Sequence, residues 1–242
     1  LALLDRLQPG LVVNAAAFTA VDAAENHRQS AFALNAELPS VLAGWCAKNQ
    51  SFLLHYSTDY VFDGKSYYPY KESHKTNPVS IYGKSKFAGE QEVRGGNAKA
   101  IIIRTSWVFS SHGNNFVKTM MRLMKERTTL NVVSDQIGRP TYAKDLAIAT
   151  IKIVNEVSDG KKIKGIYHFA NKGVTSWFEF AQQIKKNAGL SCELNPINTA
   201  QFPTPAKRPA YSVLDTQKIE SAINIDIPSW EESLLACQKM LG

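Results

Sequence analysis

The segment at residues 52–59 is Phe52-Leu53-Leu54-His55-Tyr56-Ser57-Thr58-Asp59. Its apolar first half predicts a buried β-strand, and the small polar residues follow where that strand ends. Leu11-Val12-Val13 and Ile101-Ile102-Ile103 have the same form and alternate with helical patterns along the chain. Apolar strands separated by helices indicate a parallel sheet that is covered on both faces. We therefore predict an α/β fold with a doubly wound parallel sheet, in which ligands bind beyond the carboxyl ends of the strands.

The remaining elements extend this pattern to the end of the chain. Further strands are predicted at 130–133 and 166–169, and helices at 31–48, 82 onward, 115–127, 143–157, 177–186, 216–222 and 230–240. Pro39 is a candidate kink in the first of these helices. From Asn195-Pro196 onward, repeated prolines predict a surface-lining loop. We interpret residues 1–242 as one domain, with a cofactor-binding core mainly at 1–135 and 141–170 and a small C-terminal substrate lobe mainly at 171–242.

Composition restricts the class of protein. The chain has 242 residues, 44% hydrophobic and 20% charged, which is typical of a soluble globular protein. No apolar run approaches the ~18 residues that a membrane span needs. Three widely spaced cysteines indicate free thiols in a reducing cytoplasm. The net charge of +7 suits an anionic partner, but Lys161-Lys162-Ile163-Lys164 has no interleaved aromatic residues, so we do not predict nucleic-acid binding.

Tyr82 and Lys86 have the i, i+4 spacing that places two side chains on one face of a helix. A phenol ionises near pH 10, and an adjacent ammonium would bring its pKa down toward neutrality. Thr58, at the end of a strand, could bind the same substrate oxygen. Alone, the Tyr-x-x-x-Lys pattern is more often a surface helix with a half-buried tyrosine. Together with the Ser-Thr-Asp segment, it indicates hydride chemistry on a carbonyl.

A glycine-rich phosphate loop is absent from the sequence. No G-x-G-x-x-G occurs, although such a loop would follow the first strand of a dinucleotide-binding sheet. The chain opens instead on residues that look like the tail of a helix. We expect an N-terminally incomplete Rossmann-like fold that lacks a βαβ portion of about 30 residues or more. We also expect such a chain to bind NAD(P)H poorly.

The motifs, in order along nearly the whole chain, resemble the extended short-chain dehydrogenase/reductases and, within them, the RmlD-like family of dTDP-4-dehydrorhamnose reductases. The segments that carry the resemblance are 13–22 (VNAAAFTAVD), 55–64 (HYSTDYVFDG), 82–90 (YGKSKFAGE), 104–108 (RTSWV), 113–120 (GNNFVKTM), 135–141 (DQIGRPT), 167–169 (YHF) and 203–209 (PTPAKRP).

The resemblance implies a set of site residues. Tyr82, Lys86 and Thr58 would be catalytic, with Tyr82 as the general acid. Contacts to NADPH or NADH would come from Ala17, Phe18, Thr19, Tyr56, Tyr82 and Lys86. The dTDP-sugar substrate would contact Thr58, Asp59, Trp107, Asn115 and Arg208. The protein would be a monomer or homodimer.

Two of these residues have a plainer interpretation. Trp107 fits core packing at a strand end equally well. Asn115 fits a helix N-cap equally well.

His55 is expected inside a strand with a satisfied hydrogen bond. No histidine has metal-ligand spacing, and Lys144 lies where some relatives hold metal-binding acidic residues, so no metal site is predicted.

The predicted activity is NAD(P)H-dependent reduction of dTDP-4-dehydro-6-deoxy-L-mannose to dTDP-L-rhamnose. One alternative is another sugar-nucleotide reductase or epimerase with the same catalytic residues. The other is a non-catalytic regulatory subunit resembling the β subunit of methionine adenosyltransferase. The segments at 104–107 and 113–116 fit the reductase better. NADH versus NADPH preference is not determined by these residues.

Overall fold

The structure, a computed structural model, describes residues 1–97 and 99–241. Its strands are β1 (Leu11–Asn14), β2 (Phe52–Thr58), β3 (Ala100–Thr105), β4 (Val108–Phe109), β5 (Thr129–Val133), β6 (Ile137–Gly138), β7 (Thr141–Tyr142), β8 (Gly165–His168), β9 (Thr175–Ser176) and β10 (Glu193–Ile197). Its α-helices are α1 (Ala2–Leu7), α2 (Val21–Asn26), α3 (Arg28–Phe32), α4 (Leu38–Lys48), α5 (Ile81–Gly96), α6 (Phe116–Glu126), α7 (Ala143–Ser158), α8 (Trp177–Ala188), α9 (Gln217–Ile223) and α10 (Trp230–Lys239).

The main sheet has the order β1-β2-β3-β8, and all of its neighbouring strands are parallel. Successive side chains of a strand point to opposite faces. Leu54 accordingly packs with α7 and α9 on one face, whereas Leu53 packs with α4 and α5 on the other. The predicted α/β fold with a doubly covered parallel sheet is confirmed.

The first long helix is built differently from its prediction. It starts at Arg28 and consists of α3, a π-helical segment at Ala33–Glu37, and α4. Pro39 lies in the first turn of α4, directly after the π-helical segment, and the backbone between them stays helical, with Glu37 at φ −67° and ψ −46°. The irregularity of this helix therefore lies in the turn just before the proline, whose missing N–H and ring disturb the preceding turn of a helix. π-Helical turns inside helices often occur at functional sites.

Two glycines let α5 lie unusually close to its neighbours. A Cβ at Gly83 would stand 2.3 Å from the carbonyl oxygen of Tyr60, and one at Gly89 would stand 1.9 Å from that of Asn35. Neither distance is possible for a real side chain. The glycines therefore position α5, which carries Tyr82 and Lys86, against the end of β2 and the π-helical segment.

β5 and β10 form a separate two-stranded parallel sheet. Pro196 lies within β10 opposite Val132, so the prediction that Asn195-Pro196 breaks regular structure is wrong. The proline is tolerated because, within the described ranges 1–97 and 99–241, β10 pairs with β5 alone, which leaves the other side of its backbone unpaired. The division into core and lobe at 135, 141–170 and 171–242 stays a prediction.

No helix among the described residues is long and apolar enough to cross a membrane.

Candidate active site

Three polar segments meet at the carboxyl edge of the main sheet. Asn14 pairs with His55 across β1 and β2, and Thr58 pairs with Thr105 across β2 and β3. The residues that follow these strands therefore leave the sheet side by side. This is the place where ligands bind in open parallel sheets.

Tyr82 of α5 and Thr58 of β2 lie close together at this edge. Burial raises the pKa of the Tyr82 phenol to about 12, the Thr58 hydroxyl opposes that rise, and the nearby Asp59 adds to it. The prediction of a lowered pKa is therefore wrong for the protein alone, because burial outweighs the factors that favour a phenolate. A pKa this high keeps Tyr82 protonated at neutral pH, as a proton donor must be.

Asp59 lies beneath this pair. Burial raises the pKa of its carboxyl to about 6, while the hydroxyls of Ser212 and Thr58 oppose the rise. Thr58 Oγ1 donates to Asp59 Oδ1 at 2.9 Å. Asp59 Oδ2 is fully buried beside Ser212 and has no hydrogen bond of good geometry among the described residues. A buried oxygen without a donor is costly, so Asp59 bears on the site through Thr58, to which it is hydrogen-bonded, and a substrate contact by Asp59 stays a prediction.

Lys86 is almost fully buried, 3% exposed. Its ammonium nitrogen donates to the carbonyl oxygen of Tyr56 at 2.5 Å and lies 3.4 Å from His55 Nε2. Burial lowers the pKa of Lys86 to about 8, and Glu90 one turn later opposes this. The Tyr56 phenol shares a 2.6 Å hydrogen bond with Thr150 of α7. The backbone carbonyl of Tyr56 thus contacts Lys86, whereas the Tyr56 phenol is bound to α7.

The loop with Ala17, Phe18 and Thr19 follows β1. Asn35, in the π-helical segment, accepts from the Phe18 N–H at 2.8 Å and donates to the Phe18 carbonyl at 3.0 Å. The same amide donates to Ser85 Oγ of α5 at 3.0 Å. Asn35 therefore ties the loop to the helix of Tyr82 and Lys86. The sequence analysis missed it; a buried asparagine within an apolar helical pattern was the available signal.

Trp107 follows β3 with φ +48°, a conformation that side chains other than glycine rarely adopt. Its ring stacks on that of Trp177, with 3.6 Å between the centroids and 9° between the planes. Such strain is found mainly where the surrounding structure requires it, often at ligand sites. The packing interpretation is observed in the stack on Trp177, and a substrate contact by Trp107 stays a prediction.

A cavity of about 270 Å³ adjoins Trp177 on the lobe side. Its lining is mostly apolar with a few polar groups, namely Phe116, Met120, Asn131, Val132, Val133, Gln136, Trp177, Phe202, Thr204 and Arg208. Arg208 forms a bidentate pair with Asp22, NH1–Oδ1 at 3.0 Å and NH2–Oδ2 at 2.8 Å. Arg208 therefore joins the segment at 203–209 to α2, the helix that follows β1.

Asn115 is the N-cap of α6. Its side-chain oxygen accepts from the Lys118 N–H at 3.3 Å, and its amide donates to the Ser110 carbonyl at 2.7 Å. The capping interpretation is confirmed, and a ligand contact by Asn115 stays a prediction.

The structure adds a buried ion pair that the sequence analysis did not identify. Arg104 of β3 donates to both carboxylate oxygens of Glu90, at 2.8 and 2.7 Å. Ser57 Oγ also donates to Glu90 Oε1 at 2.5 Å. Glu90 lies two helical turns after Tyr82 and one after Lys86, so this pair fixes the catalytic face of α5 on the sheet. His55 is fully buried in β2 with partners for both ring nitrogens, as predicted.

Comparison with known proteins gives a consistent result. The family model described as the RmlD substrate binding domain matches residues 1–241. A dTDP-4-dehydrorhamnose reductase of Aggregatibacter actinomycetemcomitans is 44% identical over 96% of this chain and 81% of its own length. That of Salmonella typhimurium is 40% identical over 98% of this chain and 80% of its own length.

Among solved structures, the Bacillus anthracis dTDP-4-dehydrorhamnose reductase in complex with NADP superposes with a TM-score of 0.93. It is 39% identical, covering 98% of this chain and 83% of that protein. The family match extends over the segments that contain Tyr82 and Thr58, the buried Lys86, and the pair of Arg208 and Asp22. The chain therefore belongs to the RmlD family of dTDP-4-dehydrorhamnose reductases.

Proposed function

We propose that this protein reduces the 4-keto group of dTDP-4-dehydro-6-deoxy-L-mannose to give dTDP-L-rhamnose, using NADPH or NADH. The observation that carries the proposal is the closeness of the Tyr82 phenol and the Thr58 hydroxyl at the carboxyl edge of a parallel sheet, in a chain of this family. The pair presents a protonated phenol and a hydroxyl to one small volume. That is the arrangement a carbonyl oxygen needs when it becomes an alcohol.

The residues present fit the nicotinamide half of such a cofactor. Asn35 holds the backbone of the loop at 17–19, and Lys86 keeps two of its three N–H groups free of protein carbonyls. These groups would hold a ribose and the adjoining ring, and the bound nicotinamide would supply the hydride. No glycine-rich loop that could cradle the pyrophosphate occurs in the sequence.

Tyr82 donates its proton to the carbonyl oxygen as the carbon accepts a hydride, so the C=O bond becomes a CH–OH group. Thr58 Oγ1 binds the same oxygen and orients it toward the phenol. Asp59 holds the Thr58 hydroxyl by a 2.9 Å hydrogen bond and so orients it at the site. The phenol then needs a proton from solvent or from a neighbouring group before the next turnover.

The substrate's nucleotide belongs on the lobe side, in the region of residues 171–242. The aromatic cavity beside Trp177 suits a planar base, and Arg208 at its rim suits the diphosphate because guanidinium groups bind such oxyanions in two-point contacts. Trp107 would cover the sugar between them. Asn115 would contribute to substrate binding by capping α6, whose residues Phe116 and Met120 line the cavity.

The deciding experiment is Tyr82→Phe. General acid catalysis contributes ~10²–10⁴-fold, and we expect kcat for the keto sugar nucleotide to fall by that factor, because the proton donor is gone. NADPH oxidation measures turnover, and circular dichroism checks the fold. Tyr142→Phe is the matched control, since Tyr142 is a buried tyrosine of the apolar cluster around Phe109. Near-full turnover by Tyr82→Phe would refute the proposal.

A further inference from the structure

A cluster of three buried polar side chains lies under the catalytic edge: Asn14 at the end of β1, His55 in β2 and Lys86 in α5. They are 5%, 0% and 3% exposed. Asn14 Nδ2 lies 3.0 Å from His55 Nδ1, and His55 Nε2 lies 3.4 Å from Lys86 Nζ. The three side chains are linked by two nitrogen–nitrogen contacts. In each contact, one nitrogen must donate a hydrogen bond and the other must accept it.

The orientation of the Asn14 amide determines the first link. Asn14 Oδ1 accepts from the backbone N–H of Ala16 at 3.1 Å, so the amide nitrogen must be the atom that faces His55. An amide nitrogen donates and cannot accept. His55 Nδ1 is therefore the acceptor, and it carries no proton.

The state of His55 determines the second link. Burial, the larger cause, holds the pKa of His55 well below its usual range, and the charge of Lys86 adds to this when it is present, so the ring is neutral and carries one proton in either state of Lys86. Because Nδ1 accepts, that proton is on Nε2, and the Nε2–H group faces Lys86. An ammonium has three donors and no acceptor, whereas a neutral amine has a lone pair. The Nε2–H group has an acceptor only when Lys86 is the amine, so this contact acts in the same direction as burial, which lowers the pKa of Lys86 to about 8 and leaves the ammonium the larger fraction at neutral pH.

The other buried histidine has the opposite arrangement. His168 Nδ1 lies 3.0 Å from the carbonyl oxygen of Tyr70, which can only accept, and its Nε2 lies 3.4 Å from Arg104 NH1, which can only donate. His168 is thus the Nδ1–H tautomer. An arginine keeps its proton in proteins, so this histidine had to become the acceptor, whereas Lys86 can lose its own.

The other titratable groups that face α5 act on different parts of it. Glu90, on α5 itself, raises the pKa of Lys86 and is held by Arg104 of β3. Glu25 of α2 accepts from the Ile81 N–H at the helix start, and Asp59 acts on Tyr82. His55 is therefore the titratable side chain of β2 that meets the Lys86 nitrogen, beside the Tyr56 carbonyl, which accepts from it.

We propose that Asn14 and His55 are positioning residues that set the protonation state of Lys86, by presenting an N–H group that favours the neutral amine until a ligand brings acceptor oxygens. A ribose diol is a ligand of that chemistry. Its oxygens supply the acceptors that the ammonium lacks in the protein alone. Ligand binding is then coupled to proton uptake at Lys86. The inference rests on the proposed function only in that Lys86 belongs to the catalytic set.

The test is nitrogen NMR of the histidine rings and the Lys86 amine in the protein without ligands. We expect two buried histidines of opposite tautomer, with His168 as the internal reference and His55→Gln assigning the His55 signals. Asn14→Asp should switch His55 to the Nδ1–H form, because a carboxylate accepts from Nδ1. His55 Nε2 then accepts from the ammonium, and the pKa of Lys86 rises by about 1–3.

An Nδ1–H form of His55 in the unsubstituted protein would overturn the proposal. So would a raised Lys86 pKa in Asn14→Asp with an unchanged His55 tautomer, because the added charge alone would then explain the rise. If Asn14→Asp does not fold, the tautomer in the unsubstituted protein decides. These spectra need no substrate, so an absence of keto-sugar reduction together with the expected tautomers would count against the proposed function alone.

Discussion

Two arginine–carboxylate pairs in this molecule have the same bidentate geometry and opposite surroundings. Arg104 and Glu90 are 2% and 1% exposed, between the main sheet and α5. Arg208 and Asp22 are 23% and 40% exposed, where the segment at 203–209 meets α2 and Arg208 lines a cavity. Attraction between charges is weak in water and strong where water is excluded. Burial therefore makes the first pair a fixed part of the fold, whereas solvent leaves the second free to exchange partners.

Their neighbours support this distinction. Ser57 and His168 contact the inner pair, and the Phe62 ring lies 5.1 Å from the Arg104 guanidinium carbon. No ligand could reach either charge without opening the core. The outer pair lies beside the cavity that Arg208 lines, where an incoming diphosphate could replace Asp22.

The largest effect is expected for Arg104→Met. It leaves the Glu90 carboxylate buried without its cation, and breaking a buried pair costs about 3–5 kcal/mol of the free energy of unfolding. Urea unfolding measures the loss. The double variant Arg104→Met/Glu90→Leu is the control, and it should recover most of the stability because no charge is left buried. A loss below about 1 kcal/mol in the single variant would show that water reaches the pair.

An intermediate effect is expected for Arg208→Gln. Loss of a hydrogen bond to a charged group costs about 1.5–3 kcal/mol, which corresponds to a roughly 10–100-fold higher KM for the sugar nucleotide. The KM for the dinucleotide should change little, because Arg208 lies on the lobe side of the cleft. Steady-state kinetics with each substrate varied in turn measure both values. An unchanged KM for the sugar nucleotide would remove Arg208 from the diphosphate site.

The smallest effect is expected for Asp22→Asn. A solvent-exposed pair contributes about 0.2–1 kcal/mol, so unfolding at pH 7 should change by no more than that. The hydrogen bond from Arg208 holds the pKa of Asp22 below its usual value. A carboxyl with a lowered pKa in the folded state stabilises the protein above its unfolded pKa, about 3.9, and this contribution is lost as pH falls through the folded value.

Urea unfolding of Asp22→Asn and the unsubstituted protein from pH 7 to pH 3 tests that sign. The difference between the two proteins should shrink as the pH falls. A difference that grows toward acid would mean that Asp22 is protonated more readily in the folded protein, against the bidentate geometry.

The sequence was informative where one local pattern decides the outcome. Apolar runs of strand length predicted β1, β2, β3 and β8, and the i, i+4 spacing correctly placed Tyr82 and Lys86 on one helix. Two interpretations failed because they depend on neighbours that are distant in sequence. Pro196 can lie in a strand because β10 has no second neighbour, and the Tyr82 pKa rises because other segments bury the ring.

The amino-acid sequence by itself determined the parallel α/β fold, the order of its strands and helices, and the chemistry available at the strand ends. Hydrophobic periodicity and helical spacing are local properties, so they can be recognised without knowing which segments meet. Only the tertiary structure decided which charges are paired. Arg208 meets Asp22 across 186 residues, and Arg104 meets Glu90 from a different element. Lys86, which the spacing directed to Tyr82, is held by Tyr56 and His55. Burial and partner geometry set the strength of an ion pair and the pKa of a side chain, and both exist only once the chain has folded.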